Sequence, residues 1–295
     1  MAEEQKGGKP AADSVDKMVC YEAALQPRPL DDVDFYLVAW GHSASGHPPR
    51  DPPQLMREDF SGSGMVSCGW VTSAPSRRSW AVDFDAEVHA WGTTHHLPKL
   101  TQDQRDRVSL VTCDVMASHE NGVPPVDVVV GNNFSWQCWH QDEALEAYLW
   151  GVRQGLRPGG MLVLDAFGGT SISHDSYEEI SNHDITLEDG RPARFSYVYE
   201  QMNCQAGGHM TIGVSFKFTD GSVMKHAFKY AWRVRPVGLV REAMLRVGFK
   251  TVCLFVDWND DTGAYRHGTE PTDPQEWSKM CEEEEYKSCY IVAYA

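Results

Sequence analysis

The sequence has no long apolar run: nothing in it approaches the ~18 residues that a bilayer-spanning helix needs. It is also short of positive charge. Lys and Arg number 26 against 42 Asp and Glu, a formal net charge of −16. So acidic a surface repels phosphate backbones and anionic lipid, so neither nucleic acid nor a membrane is an expected partner. The first residues, Met1-Ala-Glu-Glu-Gln-Lys-Gly-Gly8, carry acids where a signal peptide carries basic residues, and no apolar stretch follows. A cytoplasmic location is the expectation. The eight cysteines include no Cys-x-x-Cys pair, which excludes zinc-ribbon and thioredoxin-type spacings. Most of them lie in apolar surroundings and read as small buried hydrophobes in a reducing compartment. His95-His96 has no third ligand at usable spacing, so no metal site is expected.

What is present is an ordinary globular composition, 42% hydrophobic and 23% charged over 295 residues. Residues 1–16 are polar and aperiodic and read as a flexible tail. Residues 17–53 read as a helical cap: a helical pattern broken near Pro27 and Pro29, then a Gly/Ser/Pro-rich loop. From residue 54 strands and helices alternate. Strands are expected at 54–59, 80–83, 108–113, 126–130 and 161–165. The fourth, Val126-Asp-Val-Val-Val130, is apolar enough for a central parallel strand. The amphipathic stretch 142–155 is a helix closed by Arg157-Pro-Gly-Gly160. Five such alternations specify an α/β fold with a doubly wound parallel sheet. Period-two alternation then takes over at 195–201, 209–219 and 223–235, with the hairpin signal Asp220-Gly221 between the last two. An antiparallel insert is therefore expected within 170–235, after strand 5. A helix at 237–247 and strands at 250–257 and 288–294 complete a seven-stranded, Rossmann-like domain spanning 54–295.

Ligands of open α/β sheets bind beyond the carboxyl ends of the strands. Past the first strand stand Glu58 and the turn Gly62-Ser63-Gly64, where glycine lets the backbone approach a ligand. Past the second stands Asp83, placed to accept from both hydroxyls of a ribose. A dinucleotide site of the type Gly-x-Gly-x-x-Gly needs a third glycine where this chain has Ser67. S-adenosylmethionine has no phosphates, and acids near the turn suit its ammonium and sulfonium. These features favour that cofactor.

The runs Glu58-Asp-Phe-Ser-Gly-Ser-Gly64, Ala81-Val-Asp-Phe-Asp85, Cys113-Asp-Val115 and Gly155-Leu-Arg-Pro-Gly-Gly-Met-Leu-Val-Leu-Asp165 resemble the ordered motifs of class I S-adenosylmethionine-dependent methyltransferases. Val130-Gly-Asn-Asn-Phe134 is similar to the corresponding segment of glycine N-methyltransferases and their small-molecule relatives. The family usually has a further glycine where this chain has Phe60. The resemblance implies a Rossmann-like fold whose N-terminal helices act as a lid. It places Glu58, Gly62 and Gly64 at the amino-acid end of the cofactor, with Arg57 either at its carboxylate or in a strand-end salt bridge. It places Asp83 at the ribose, Phe84 and Val115 against adenine and Asp114 at the adenine amino group. Asn132 and Asn133 would border the transferred methyl. The product cofactor would be S-adenosylhomocysteine, and no metal is implied.

The methyl acceptor is less legible. Asn133, His140 and Tyr199 are the catalytic candidates, with Asp165 a further possible base. Tyr21, Tyr36, Trp136, Trp139, Tyr199, Trp232 and Arg233 are candidates for holding a small molecule, the rings through their faces and Arg233 or Arg194 through a carboxylate. An amine, a thioether or a carboxylate-bearing metabolite all remain open, as does oligomeric state. A nucleic-acid or protein methyltransferase and a non-catalytic cofactor-binding scaffold are the alternatives. Asn132-Asn-Phe-Ser-Trp136 lacks the prolines of the segment that methylates exocyclic base amines.

Overall fold

The computed structural model describes residues 9–25, 27–42, 51–174, 176–205, 207–256, 258–259, 265–266, 268 and 270–295. Its strands are β1 Leu55–Asp59, β2 Arg78–Asp83, β3 Val108–Thr112, β4 Val126–Gly131, β5 Leu156–Gly168, β6 Tyr177–Thr186, β7 Pro192–Met202, β8 His209–Phe218, β9 Val223–Arg233, β10 Thr251–Val256, β11 Trp258–Asn259, β12 Tyr265–Arg266 and β13 Lys287–Tyr294. Its α-helices are α1 Lys17–Leu25, α2 Pro29–Gly41, α3 Met65–Ser73, α4 Ala86–His95, α5 Gln102–Arg105, α6 Asp142–Gly155, α7 Val237–Arg246 and α8 Pro274–Glu283. The chain forms two compact units, one of Arg28–Ile172 with Arg233–Ala295 and one of the residues up to Pro27 with Ser173–Trp232.

The first unit carries a seven-stranded sheet in the order β10-β13-β5-β4-β1-β2-β3. The strands from β5 to β3 run parallel, and β13 runs antiparallel to β5 and to β10. Strand alternation sends side chains to opposite faces. Leu162 and Leu164 join α6 and α7 in one apolar cluster, while Met161 and Val163 join α2 and α3 in another. Helices on both faces make this the expected doubly wound sheet. Helix α6 buries Leu145, Tyr148, Leu149 and Val152, the i, i+3, i+4, i+7 stripe of an amphipathic helix, with Asp142 and Glu143 in its first turn.

The second unit is a four-stranded antiparallel sheet, β6-β7-β8-β9, packed with α1 around Cys20, Phe195, Val214, Phe216 and Phe218. The Asp220-Gly221 hairpin forms as expected, with Gly221 at φ 86°. Strand β6 is a correction to the expected three-stranded insert. Its side chains are mostly exposed, as suits an edge strand, so it carries little of the alternation that marks a buried one.

The expected boundaries also shift. The 17–53 helical cap divides, α1 belonging with the antiparallel sheet and α2 with the parallel one. Within the expected tail, residues 11–13 form a 3-10 helix with Ala11 buried, and the Ala11 N–H donates to Asp220 Oδ2 at 2.8 Å. Residues 1–8 and 43–50, within the expected tail and loop, lie outside the described residues. The acidic segment before β13 contains a helix the periodicity did not reveal, α8, started by the Asp273 cap on Gln275 N and anchored by buried Trp277. Among the described residues no helix is long and apolar enough to cross a membrane.

Candidate functional site

Beyond β1 the chain turns through Phe60, Gly62 and Gly64, all at positive φ (56°, 52° and 74°), into α3. A bulky residue at positive φ is strained. Phe60 stands where the resemblance leads to the expectation of glycine, and its ring packs against Tyr148 and Trp139 at centroid distances of 5.7 and 6.4 Å. The turn is pinned from β2: Ser61 N donates to Val82 O at 3.0 Å, and Gly62 N donates to Asp83 Oδ2 at 2.8 Å. Asp83 Oδ1 accepts from Asp85 N at 3.0 Å. Each carboxylate oxygen keeps acceptor capacity beyond that one bond.

Helix α4 supports the turn from behind. Buried His89 bridges Ser61 Oγ (3.3 Å) and Thr112 Oγ1 (2.8 Å), and burial holds its imidazole pKa below the usual value. Gly92 lies against Ser63, so close that a Cβ there would overlap the Ser63 carbonyl oxygen. Replacing Gly92 by alanine is therefore expected to displace the turn. We expect a loss of about 1–3 kcal/mol in chemical denaturation and roughly tenfold weaker binding of S-adenosylhomocysteine in titration calorimetry. Unchanged affinity would mean that the turn does not touch the ligand.

Glu58 ends β1 as a carboxyl only 4% exposed, accepting from Ser67 N at 2.8 Å. Burial, opposed by the Ser67 hydrogen bonds, pushes its pKa up to about 8. Next to the turn is a cleft of about 200 Å³ lined by Phe60, Asp83, Phe84, Asp114, Val115, Cys138 and Trp139. Phe84 is 77% exposed, Asp114 accepts from Met116 N at 2.8 Å, and Val115 is buried. The Trp139 indole Nε1 is buried without a hydrogen-bond partner among the described residues. A ribose-sized acceptor pair, an open ring face and an unsatisfied donor fit an adenosyl group well.

At the end of β4, Asn132 Nδ2 donates to the Tyr36 hydroxyl at 2.7 Å. Asn133 and Phe134 follow at φ 57° and 56°, and Phe134 N donates to Asp165 Oδ1 at 2.8 Å. The first unit thus gathers Glu58, Gly62, Gly64, Asp83, Phe84, Asp114, Val115, Asn132 and Asn133 at the carboxyl ends of β1, β2, β4 and the start of the segment after β3. Such a sheet, glycine turn and strand-end acid invite comparison with known proteins. No family model and no curated protein sequence matches the chain.

Solved structures do resemble it. DesVI of Streptomyces venezuelae superposes with a TM-score of 0.60 at 12% identity, covering 97% of this chain and 99% of that one. CalS10 of Micromonospora echinaspora, an amino pentose methyltransferase with S-adenosylmethionine bound, gives 0.58 at 14% identity over 93% and 96%. An S-adenosylmethionine-dependent methyltransferase of Clostridium acetobutylicum gives 0.58 at 13% identity over 92% and 95%. The chain has the S-adenosylmethionine-dependent methyltransferase fold.

Within this fold several expected site residues have other occupations. Arg57 takes the salt-bridge alternative: its Nε and Nη2 pair with Asp59 at 2.8 and 2.9 Å, and Nη1 donates to Ser118 at 3.1 Å. Its guanidinium is buried, at 4% exposure, and committed to these partners. Arg233 is likewise held, by Asp142 and the His140 carbonyl. Trp136 is core, 1% exposed, with Nε1 donating to the Asp165 carbonyl. Trp139, expected at the acceptor, lines the same cleft as Asp83 and Asp114. Tyr36 is wholly buried.

Tyr21, Tyr199 and Trp232 belong to the antiparallel unit. Tyr21 packs on Phe228 (4.8 Å) and buried Trp232 stacks on Tyr230 (5.3 Å). The Tyr199 hydroxyl donates to Gln201 at 3.4 Å, and burial raises its pKa, so it is a poor base near neutrality. Arg194 lies 3.9 Å from Asp184 on an exposed surface. Phe60 and Cys138 were not anticipated as cleft residues. The substitution of phenylalanine into a glycine position was the one signal for the first, and no pattern marks the second. No group of three or more metal-ligating side chains occurs among the described residues.

Proposed function

We propose that the protein is an S-adenosylmethionine-dependent methyltransferase acting on a small-molecule acceptor. The observation that carries this is Asp83: a strand-end carboxylate fixed by the N–H of the glycine turn and sharing one cleft with Phe84, Asp114 and Val115. In this reading Asp83 accepts from the ribose hydroxyls, Phe84 and Val115 pack on adenine, Asp114 accepts from its amino group, and Trp139 closes the cleft. Glu58, Gly62 and Gly64 border the amino-acid end, and Asn132 and Asn133 border the methyl. Bound S-adenosylmethionine supplies a methyl carbon on a sulfonium, open to in-line displacement. The residues of the chain hold and orient the two partners and keep water out. The net charge of −16 and the aminosugar-methylating neighbour CalS10 support a metabolite over a nucleic acid as acceptor.

Titration calorimetry with S-adenosylhomocysteine tests the reading. One site with a Kd in the micromolar range, about −8 kcal/mol, is expected. No heat at millimolar ligand would overturn it. Methyl transfer from labelled cofactor to a metabolite panel, and not to bulk protein or RNA, separates the enzyme from a scaffold that binds without turnover.

A further inference from the structure

We infer that Phe60 lets the site tell the charged cofactor from its neutral product, its ring lying beside the sulfur and attracting it only while it is a sulfonium. The inference rests on the methyltransferase reading. It adds a residue that the resemblance does not supply, because the resemblance leads to the expectation of glycine there.

Three observations support it. The first is backbone cost. Phe60 sits at φ 56°, where a bulky side chain is strained and glycine would be free. Strain of that kind clusters at sites where a side chain is needed in place.

The second is position. Phe60 is half-buried against the core and lines the same cleft as Asp83, Asp114 and Trp139. The sheet runs β4-β1-β2-β3. A ligand with adenine at Asp114, past β3, and ribose at Asp83, at the end of β2, therefore meets Phe60 next, at the end of β1. Two strand spacings, about 9.6 Å, separate β3 from β1, which leaves room for adenine and ribose before the sulfur. The ring also reaches β4. Phe60 Cδ2 lies 3.8 Å from where a Cβ on Gly131 would stand, one residue before Asn132, which the proposed reading sets at the methyl.

The third is rigidity. Tyr148 and Trp139 back the ring at 5.7 and 6.4 Å, and the Tyr148 hydroxyl donates to buried Asp59 at 3.0 Å. This backing holds the ring in place whatever the charge of the ligand.

An aromatic ring face attracts a cation through its quadrupole and has no such pull on a neutral thioether. Once the methyl has left, the sulfur keeps the electron pair of the broken bond and is neutral. The ring that draws in S-adenosylmethionine thus loses its hold on S-adenosylhomocysteine, which favours exchange of product for fresh cofactor. Glu58, Asp83 and Asp114 act on the same charge, so the ring has to be varied alone.

Replacing Phe60 by trifluorophenylalanine, which keeps the shape of the ring and drains its face, does so without any methyl acceptor present. Kd values for S-adenosylmethionine and S-adenosylhomocysteine are measured by calorimetry on the parent, this variant and Phe60→Leu, with thermal melts alongside. The preference for the charged ligand over the neutral one is expected to fall about tenfold in both variants, the size of a partly desolvated cation–ring contact. Affinity for S-adenosylhomocysteine should stay within roughly threefold of the parent. An unchanged preference in the trifluoro variant overturns the inference, whether or not Phe60→Leu folds. So does an equal loss for both ligands, which would make Phe60 a wall of the cleft and nothing more. If the parent binds neither ligand, the methyltransferase reading fails and the inference with it.

Discussion

Replacing Asp83 by alanine is expected to raise the Kd for S-adenosylhomocysteine at least a hundredfold. The carboxylate does two jobs at once. It accepts from Gly62 N and Asp85 N, which fixes the glycine turn against β2, and in the proposed reading its remaining lone pairs accept from two ribose hydroxyls. Hydrogen bonds to a charged group contribute about 1.5–3 kcal/mol each. Loss of the ribose pair alone thus exceeds the roughly 2.7 kcal/mol that corresponds to a hundredfold change. Asp83→Asn separates the two jobs. The amide keeps one acceptor oxygen for a backbone donor but turns an NH2 toward the other, so an intermediate loss of roughly tenfold is expected. Denaturant titration should show Asp83→Ala still cooperatively folded, destabilised by about 1–2 kcal/mol through the two orphaned N–H groups. If Asp83→Ala bound S-adenosylhomocysteine within threefold of the parent, the cleft would not be an adenosyl site.

The legibility of this residue contrasts with that of the acceptor side, and the reason is physical. Strand ends, the glycine turn and Asp83 follow from local rules: an apolar run sets β4, short extended segments before a turn set β1 and β2, and a ligand site at their carboxyl ends follows from the topology. Asp83 has one neighbour set, the turn that leaves the adjacent strand and its own chain two residues on. Arg57 illustrates the opposite case. Whether it meets a ligand or a carboxylate depends on Asp59 in the same strand and on Ser118, which β1 alone does not position. Arg233 is decided by Asp142, again far along the chain. Aromatic residues were the least decidable, since Trp136 and Trp139 sit three apart yet one is sealed in the core and the other lines the cleft. A short 3-10 helix, Ser135–Cys138, places them so differently. Strand β6 and helix α8 escaped notice because their polar and acidic faces dilute the periodicity that reveals buried elements.

Glu58 carries the second large expected effect, a stability that declines as pH rises. Its carboxyl is buried, has one backbone donor and no paired cation among the described contacts, and titrates near 8 in the folded chain, with desolvation the main cause. The unfolded chain titrates near the ordinary glutamate value of about 4.3. Between these values the folded state binds the extra proton, so the slope of unfolding free energy against pH is negative. The contribution is fully present below about pH 4.5 and is lost as pH climbs through 8, a change of roughly 3–5 kcal/mol at 1.36 kcal/mol per unit. Glu58→Gln removes the ionisation and keeps the shape. Urea titrations from pH 5 to 9 should therefore show parent and variant converging at pH 5, with the variant the more stable at pH 9. Binding adds a second readout, because in the proposed reading a ligand ammonium lies beside Glu58 and would favour the ionised carboxylate. Calorimetry at pH 7 in buffers of different ionisation enthalpy should detect release of close to one proton from the parent on binding S-adenosylhomocysteine, and close to none from Glu58→Gln. Parallel pH profiles for the two proteins would show that Glu58 is already ionised in the fold, and would remove it as the proton source in binding.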